Sequence, residues 1–200
     1  MKRAPVVATI VVALAVAAMV GLGLWQLDRR EQKRALVASF TRNATLPETT
    51  LPPVPVPESS LFRRVRALCT APGAPRRSAG RSAAGASGYR FLVTCRQGFV
   101  VDLGVANDPR LNPTWDGGPV RGVLTHAPDS TSFVDRLFGA RPRPAAMIVP
   151  AQPLAPDLDA SRAPDPANVP DNHLAYAVQW FAFAAMALVI YVFALRRRGR

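Results

Sequence analysis

Few side chains in these 200 residues could do chemistry, and those that could gather at the edges of two apolar runs. His173 stands where a proline- and aspartate-rich stretch gives way to the uncharged run 174–195, with Tyr176 and Trp180 just inside it. Trp25, Arg29 and Arg30 stand where the first uncharged run ends. An imidazole at the edge of a hydrocarbon phase can bond lipid headgroups or backbone. It can also serve as an axial ligand to a heme iron. A porphyrin needs a flat apolar niche, a neutral imidazole and cations for its propionates, and two helices, His173 and Arg29 or Arg30 offer those groups. The arginines equally suit interfacial anchoring. From the residues alone both readings stand.

Other chemistry is poorly supplied. Two histidines and two cysteines cannot close a four-ligand zinc site without carboxylates. No phosphate-cradling G-x-x-x-x-G-K, no H-E-x-x-H and no G-x-S-x-G occurs. His126 falls at a strand end among loops and reads as a surface residue. Cys69 and Cys95 are not C-x-x-C; they could form one disulfide between neighbouring strands in an oxidising compartment, or serve copper binding or thiol exchange. No catalytic triad assembles, so an enzyme is not expected.

The elements that position these residues follow from length and charge. Residues 5–26 form an uncharged run of about 21 apolar residues, long enough to cross a ~30 Å hydrocarbon core. A cleaved signal peptide would end in a polar region after ~7–15 apolar residues, whereas this run stays apolar through Leu24. Residues 174–195 form the second span, with aromatic residues toward its ends and Arg196-Arg197-Arg198 as a stop. The net charge is +12, from 25 basic against 13 acidic residues. Two thirds of that excess lies in residues 1–40 and 196–200, beside the apolar runs. That distribution points to membrane lipid and excludes a nucleic-acid binder, which would cluster its arginines on a folded face among aromatics. The arginine tail 196–200 and the acidic stretch before His173 predict both termini cytoplasmic. Residues 1–4 are then a cytoplasmic N-terminus, 27–173 an extracytoplasmic domain in the periplasm, and 196–200 a cytoplasmic tail of an inner-membrane protein.

The middle reads as a small, mostly-β domain. Gln26 to Asn43 lacks proline and glycine and continues the first span's helix. The segment LPETTLPPVPVPESS is an extended proline-rich linker. Strands are predicted over 61–69, with a bulge where the alternation slips, over 89–96 and 99–105 as a hairpin turning at Gln97-Gly98, over 119–126 and over 145–149. Residues 133–138 are ambiguous. The alanine-, glycine-, serine- and arginine-rich segment 70–88 reads as a mobile, dispensable loop.

Two motifs carry a family resemblance. Pro170-Asp171-Asn172-His173-Leu174-Ala175-Tyr176-Ala177-Val178-Gln179-Trp180-Phe181 resembles the C-terminal signature of the Surfeit locus protein 1 family. Gly23-Leu24-Trp25-Gln26-Leu27-Asp28-Arg29-Arg30, with Lys33, resembles its N-terminal pattern. Phe62-Arg63-Arg64-Val65 and Gly88-Tyr89 add weaker similarity. Leu103-Gly104-Val105 stands where the family often has R-G-W-V, Cys69 where a glycine is common, and the 70–88 segment is idiosyncratic. The resemblance implies an assembly factor for heme-copper cytochrome c oxidase. Such a factor helps deliver heme a to the catalytic subunit, alongside other oxidase assembly factors, and His173 is then the residue near which heme a binds. Two other functions compete: a two-span scaffold that binds a protein partner through its β domain without a cofactor, and a thiol or copper chaperone using Cys69 and Cys95.

Overall fold

The computed structural model describes residues 6–129 and 144–199; the ambiguous segment 133–138 lies outside the described residues. The chain divides into two compact units, one made of residues 1–36 and 169–200 and the other of residues 37–168.

The first unit is built from two helices. Helix α1 spans Val6–Thr45 without interruption, and α2 spans His173–Gly199. The absence of proline and glycine after Gly23 lets α1 run on from its apolar part into a polar one. Both helices are long and apolar enough to cross a membrane. Their apolar side chains are largely exposed within the chain itself, Leu14 at 66% and Ile190 at 62%. So wide an uncovered apolar surface is compatible with a two-span membrane protein. The less exposed positions form a stripe in steps of four and three: Val12, Val16, Met19, Gly23, Gln26 and Arg30 on α1, and His173, Ala177, Trp180, Ala184, Ala187 and Tyr191 on α2. That spacing is the seam of a left-handed helix pair. Small residues let the backbones approach. Ala177 and Ala184 are buried, and a Cβ on Gly23 would come within 2.6 Å of the Phe181 ring. Thr9 and Tyr191 hydrogen-bond near one end of the pair, and Gln26 meets His173 near the other. These contacts are 17 residues apart on α1 and 18 on α2, so the helices run antiparallel over ~26 Å.

The second unit begins with the last turns of α1. There Phe40 stacks on Phe62 with ring centroids 4.7 Å apart, and the Asn43 amide donates to the carbonyls of Ser59 and Leu61. The strands are β1 Thr49–Thr50, β2 Arg64–Cys69, β3 Arg76–Arg81, β4 Ser87–Thr94, β5 Val100–Ala106, β6 Gly118–His126 and β7 Ala146–Val149. They form one mixed sheet in the order β1-β2-β6-β7-β5-β4-β3. β1 and β2, and β5 and β7, pair parallel, and the other pairs are antiparallel. The core is apolar and β-branched, with Phe91, Phe99, Leu92, Leu103, Leu124 and Ile148 among its fully buried residues.

Four sequence expectations need correction. Residues 76–81 are not loop: β3 pairs with β4 over six residues, from Arg76 opposite Leu92 to Arg81 opposite Ser87. The linker contains β1 and a 3-10 turn, Glu58–Ser60. The register of β2 with β6 is unbroken from Arg64 to Cys69, so it holds no bulge. The alternation slips earlier, at Phe62, whose φ of 63° turns the chain into the strand. The bulge lies instead in β5, where Phe91 faces Gly104 while Leu92 faces Asp102. Gly104 takes φ of 136° there, and a Cβ would sit 2.7 Å from the Asp159 carbonyl. Finally, His126 is half-buried rather than on the surface; burial lowers its pKa, and Glu58 opposes that shift.

That bulge serves a buried polar cluster. Asp102 Oδ1 accepts from the Gly104 N–H at 3.0 Å and from the Ser161 hydroxyl at 2.9 Å. Segment 159–162 is a strap, bonded to Val105 of β5 and also to Arg81 and Ala83 at the end of β3. Arg90 Nε lies 3.0 Å from Asp102 Oδ2, but its N–H is not aimed at that oxygen, and neither atom has a hydrogen bond among the described residues. A well-aligned guanidinium would lower the carboxyl pKa. Here burial outweighs Arg90 and pushes it up to about 6. The native carboxyl therefore holds its proton more tightly than the unfolded chain, whose carboxyl titrates near 3.8. Its contribution is complete below 3.8 and is lost as pH rises through about 6. Relative to an Asp102→Asn variant, the wild type should lose roughly 3 kcal/mol across that window. Urea unfolding followed by Trp115 fluorescence, with Trp25 and Trp180 replaced by Phe in both proteins, measures it; parallel pH profiles would refute the account.

Candidate functional site

The first turn of α2 fixes His173. The Asp171 carboxylate accepts the His173 N–H at 3.3 Å, and the Asn172 carbonyl accepts the Tyr176 N–H at 3.1 Å. The first satisfies a donor that a helix start leaves open, the second is the first bond of the helix itself, and the Asp171 anion suits the positive end of the helix dipole. Pro170-Asp171-Asn172 thus acts as a start signal that sets the histidine in the first turn. Its ring is half-buried, with Nδ1 at 2.8 Å from Gln26 Oε1 of α1. No other partner of the ring is found among the described residues.

The remaining sequence-predicted residues separate into two sets. Trp25 and Arg29 are one turn apart on the exposed side of α1, with Trp25 at 52% exposure. The Arg29 guanidinium donates to Gln32 Oε1 at 2.8 Å, and the Gln32 amide donates to Asp28 at 2.8 Å. Arg30 lies on the stripe that carries Gly23 and Gln26. Its Nε is buried and has no hydrogen-bond partner among the described residues. On α2, Tyr176 is 51% exposed, while Trp180 is half-buried with its ring edge-to-face with Phe183. The structure therefore brings His173 to Gln26, and it divides the two arginines between an exposed and a sheltered face.

Gln26 is the residue that sequence reasoning missed. Its signal was present, since it lies three residues after Gly23 and four before Arg30. A polar residue on the face where a helix carries its glycine is aimed at a neighbour.

Among the described residues no group of three or more histidine, cysteine or carboxylate side chains could hold a metal ion. Cys69 and Cys95 are joined in a disulfide and buried, which leaves no thiol of theirs for exchange. The bond does not join neighbouring strands as expected. β2 and β4 are separated in the sheet by β6, β7 and β5. They meet because segment 70–73 runs beside the end of β4, where Arg96 N–H donates to Thr70 and Gly73 N–H donates to Thr94.

In a comparison with protein families, the model of the SURF1 family matches residues 13–185, which takes in most of α1, the first part of α2 and the sheet between them in sequence. A comparison with curated proteins found no match.

Proposed function

Because the chain belongs to the SURF1 family, known for oxidase assembly and composed of assembly factors rather than enzymes, we propose that it binds heme a at the outer membrane face and aids its insertion into the catalytic subunit of a heme-copper cytochrome c oxidase. Heme is cargo in this reading. The observation that carries it is the half-buried His173 ring at the start of α2, held by Gln26 at one nitrogen with no partner at the other among the described residues.

The residues present fit a porphyrin. His173 supplies an imidazole nitrogen as axial ligand. Trp25 and Tyr176 offer exposed ring faces, and Trp180 sits one turn further along α2. Arg30 has a buried Nε with no hydrogen-bond partner among the described residues, and Arg29 an exposed guanidinium, so one sheltered and one solvated cation are available for two propionates. In this proposal the helix pair crosses the inner membrane with both termini in the cytoplasm. The sheet unit stands in the periplasm, an oxidising compartment that suits its disulfide. There it can meet the catalytic subunit and other assembly factors.

The test is the absorption spectrum of the full chain, purified in detergent from cells that make heme a. A Soret band with the α band of heme a is expected. Colourless protein from cells with a working oxidase pathway would reject heme binding and favour the cofactor-free scaffold.

A further inference from the structure

The geometry points to Gln26 as a positioning residue: its side-chain oxygen holds the proton of the His173 ring on Nδ1 and so presents Nε2, with its lone pair, as the ligating nitrogen. This inference rests on the heme-binding reading for its purpose, but not for its observation. A neutral imidazole carries one proton, and the partner of each ring nitrogen decides where it sits. The atom 2.8 Å from Nδ1 is Gln26 Oε1, a carbonyl oxygen that can only accept. With that oxygen facing it, Nδ1 donates and Nε2 carries the lone pair. Histidines that bind metals are commonly held in this way by an outer hydrogen bond, which fixes the tautomer, orients the ring and raises the basicity of the ligating nitrogen.

The surroundings support a fixed role. Both helices contribute rigid backbone at this point: His173 is in the capped first turn of α2, and Gln26 lies three residues from Gly23, where the Phe181 ring packs against the α1 backbone. The long glutamine side chain is thereby given one partner across the helix pair. Asp171, which bonds the His173 backbone N–H, sets the start of the helix, and Gln26 sets the ring.

The experiment uses the full chain in detergent without heme. The chain has two histidines, so a His126→Gln background leaves His173 alone to be read. At about pH 8.5, nitrogen NMR of ring-labelled protein shows which ring nitrogen carries hydrogen. The expected result is a dominant Nδ1–H form that Gln26→Leu converts to an Nε2–H form or a mixture, and that Gln26→Glu, which keeps an acceptor, retains. A dominant Nε2–H form in the unsubstituted position-26 protein overturns the inference, as does an unchanged tautomer in Gln26→Leu. With heme, Gln26→Leu should weaken binding about 10–100-fold. Gln26→Glu should hold affinity closer to that of glutamine and lower the heme reduction potential, because a carboxylate makes the imidazole more electron-rich. Equal affinity and potential in all three proteins would also overturn it. If no protein binds heme while the tautomer behaves as expected, the heme-binding reading fails and the positioning of His173 by Gln26 stands.

Discussion

His173→Ala and His173→Gln should each abolish heme bound to the purified protein, while the chain still inserts and accumulates. Alanine offers no nitrogen, and the glutamine side chain is a poor iron ligand of similar polarity. Accumulation should hold because the ring is only half-buried and the Asp171 bond to residue 173 uses backbone. The arginines should differ from each other. Arg29 is exposed and already donates to Gln32, and an exposed ion pair is worth ~0–1 kcal/mol. Arg29→Ala should therefore weaken binding by at most several-fold. Arg30 brings a buried Nε that has no partner among the described residues, so a propionate there would satisfy a donor that otherwise bears its desolvation cost. Arg30→Ala should weaken binding by about tenfold or more, and Arg30→Lys should restore only part of it because the fork is lost. Heme content per protein across these variants decides the matter. Unchanged content in both His173 variants would leave the histidine as an interfacial anchor and the protein as a scaffold.

How much of this was legible in the sequence depends on which force fixes each element. The helices were plain, because uncharged runs with basic flanks have few other solutions in water or lipid. The hairpin of β4 and β5 was plain too. Tyr89, Phe91 and Val93 share one face, with Arg90, Leu92 and Thr94 on the other, and Gln97-Gly98 marks the turn, where Gly98 has φ of 86°. β3 was hidden. Its residues Arg76–Arg81 have no apolar face, and it lies at the sheet edge, where pairing is by backbone alone. Its arginines and Gly80 suit a strand with nothing to bury, and charges on an edge also deter pairing with other chains. Gly80 faces Gly88 across the pair, and a Cβ on Gly88 would reach within 2.7 Å of the Ala106 carbonyl. What looked like low complexity is partly a requirement for close backbone approach.

The candidate site was legible by residue type and illegible by pairing. His173, Trp25, Arg29 and Arg30 stood out because polar or aromatic groups at the edge of an apolar run are conspicuous. That Arg29 and Arg30 lie on different faces follows from 100° per residue, but it needs the buried face of α1 to be known. That Gln26 meets His173 depends on the register of two helices separated by 127 residues of sequence, and helix periodicity carries no such information. Asp102 was overlooked for a similar reason. In FVVDLGV it reads as the polar residue of an alternating strand, yet it is 1% exposed, because the strap at Ser161 returns from far along the chain to cover it.

The Cys69–Cys95 bond should be the largest single covalent contribution to the stability of the sheet unit. The two residues are 26 apart in sequence, and removing a loop of that size from the unfolded ensemble corresponds to about 3–4 kcal/mol in the chain-entropy account. The bond also fastens a junction that pairing leaves weak. Segment 70–73 carries the chain away from β2 and is tied to the end of β4 by the Arg96 and Gly73 backbone bonds and by Gln97, whose side chain bonds Thr70 at 2.8 Å. Cys69→Ala, Cys95→Ala and the double variant should each lose about 3–4 kcal/mol in urea unfolding followed by Trp115 fluorescence, with Trp25 and Trp180 replaced by Phe throughout. The double variant should be no more than about 1 kcal/mol below either single one, because all three remove the same bond and the sites are not independent. Reductant should lower the wild type by a similar amount and leave the variants where they are. Under conditions where the double variant stays folded it should still carry heme, because the proposed ligand lies in the helix unit. Loss of pigment from a folded double variant would revive a thiol or copper role for the pair. A stability change below about 1 kcal/mol would mean instead that the bond constrains little that the strand pairing does not already hold.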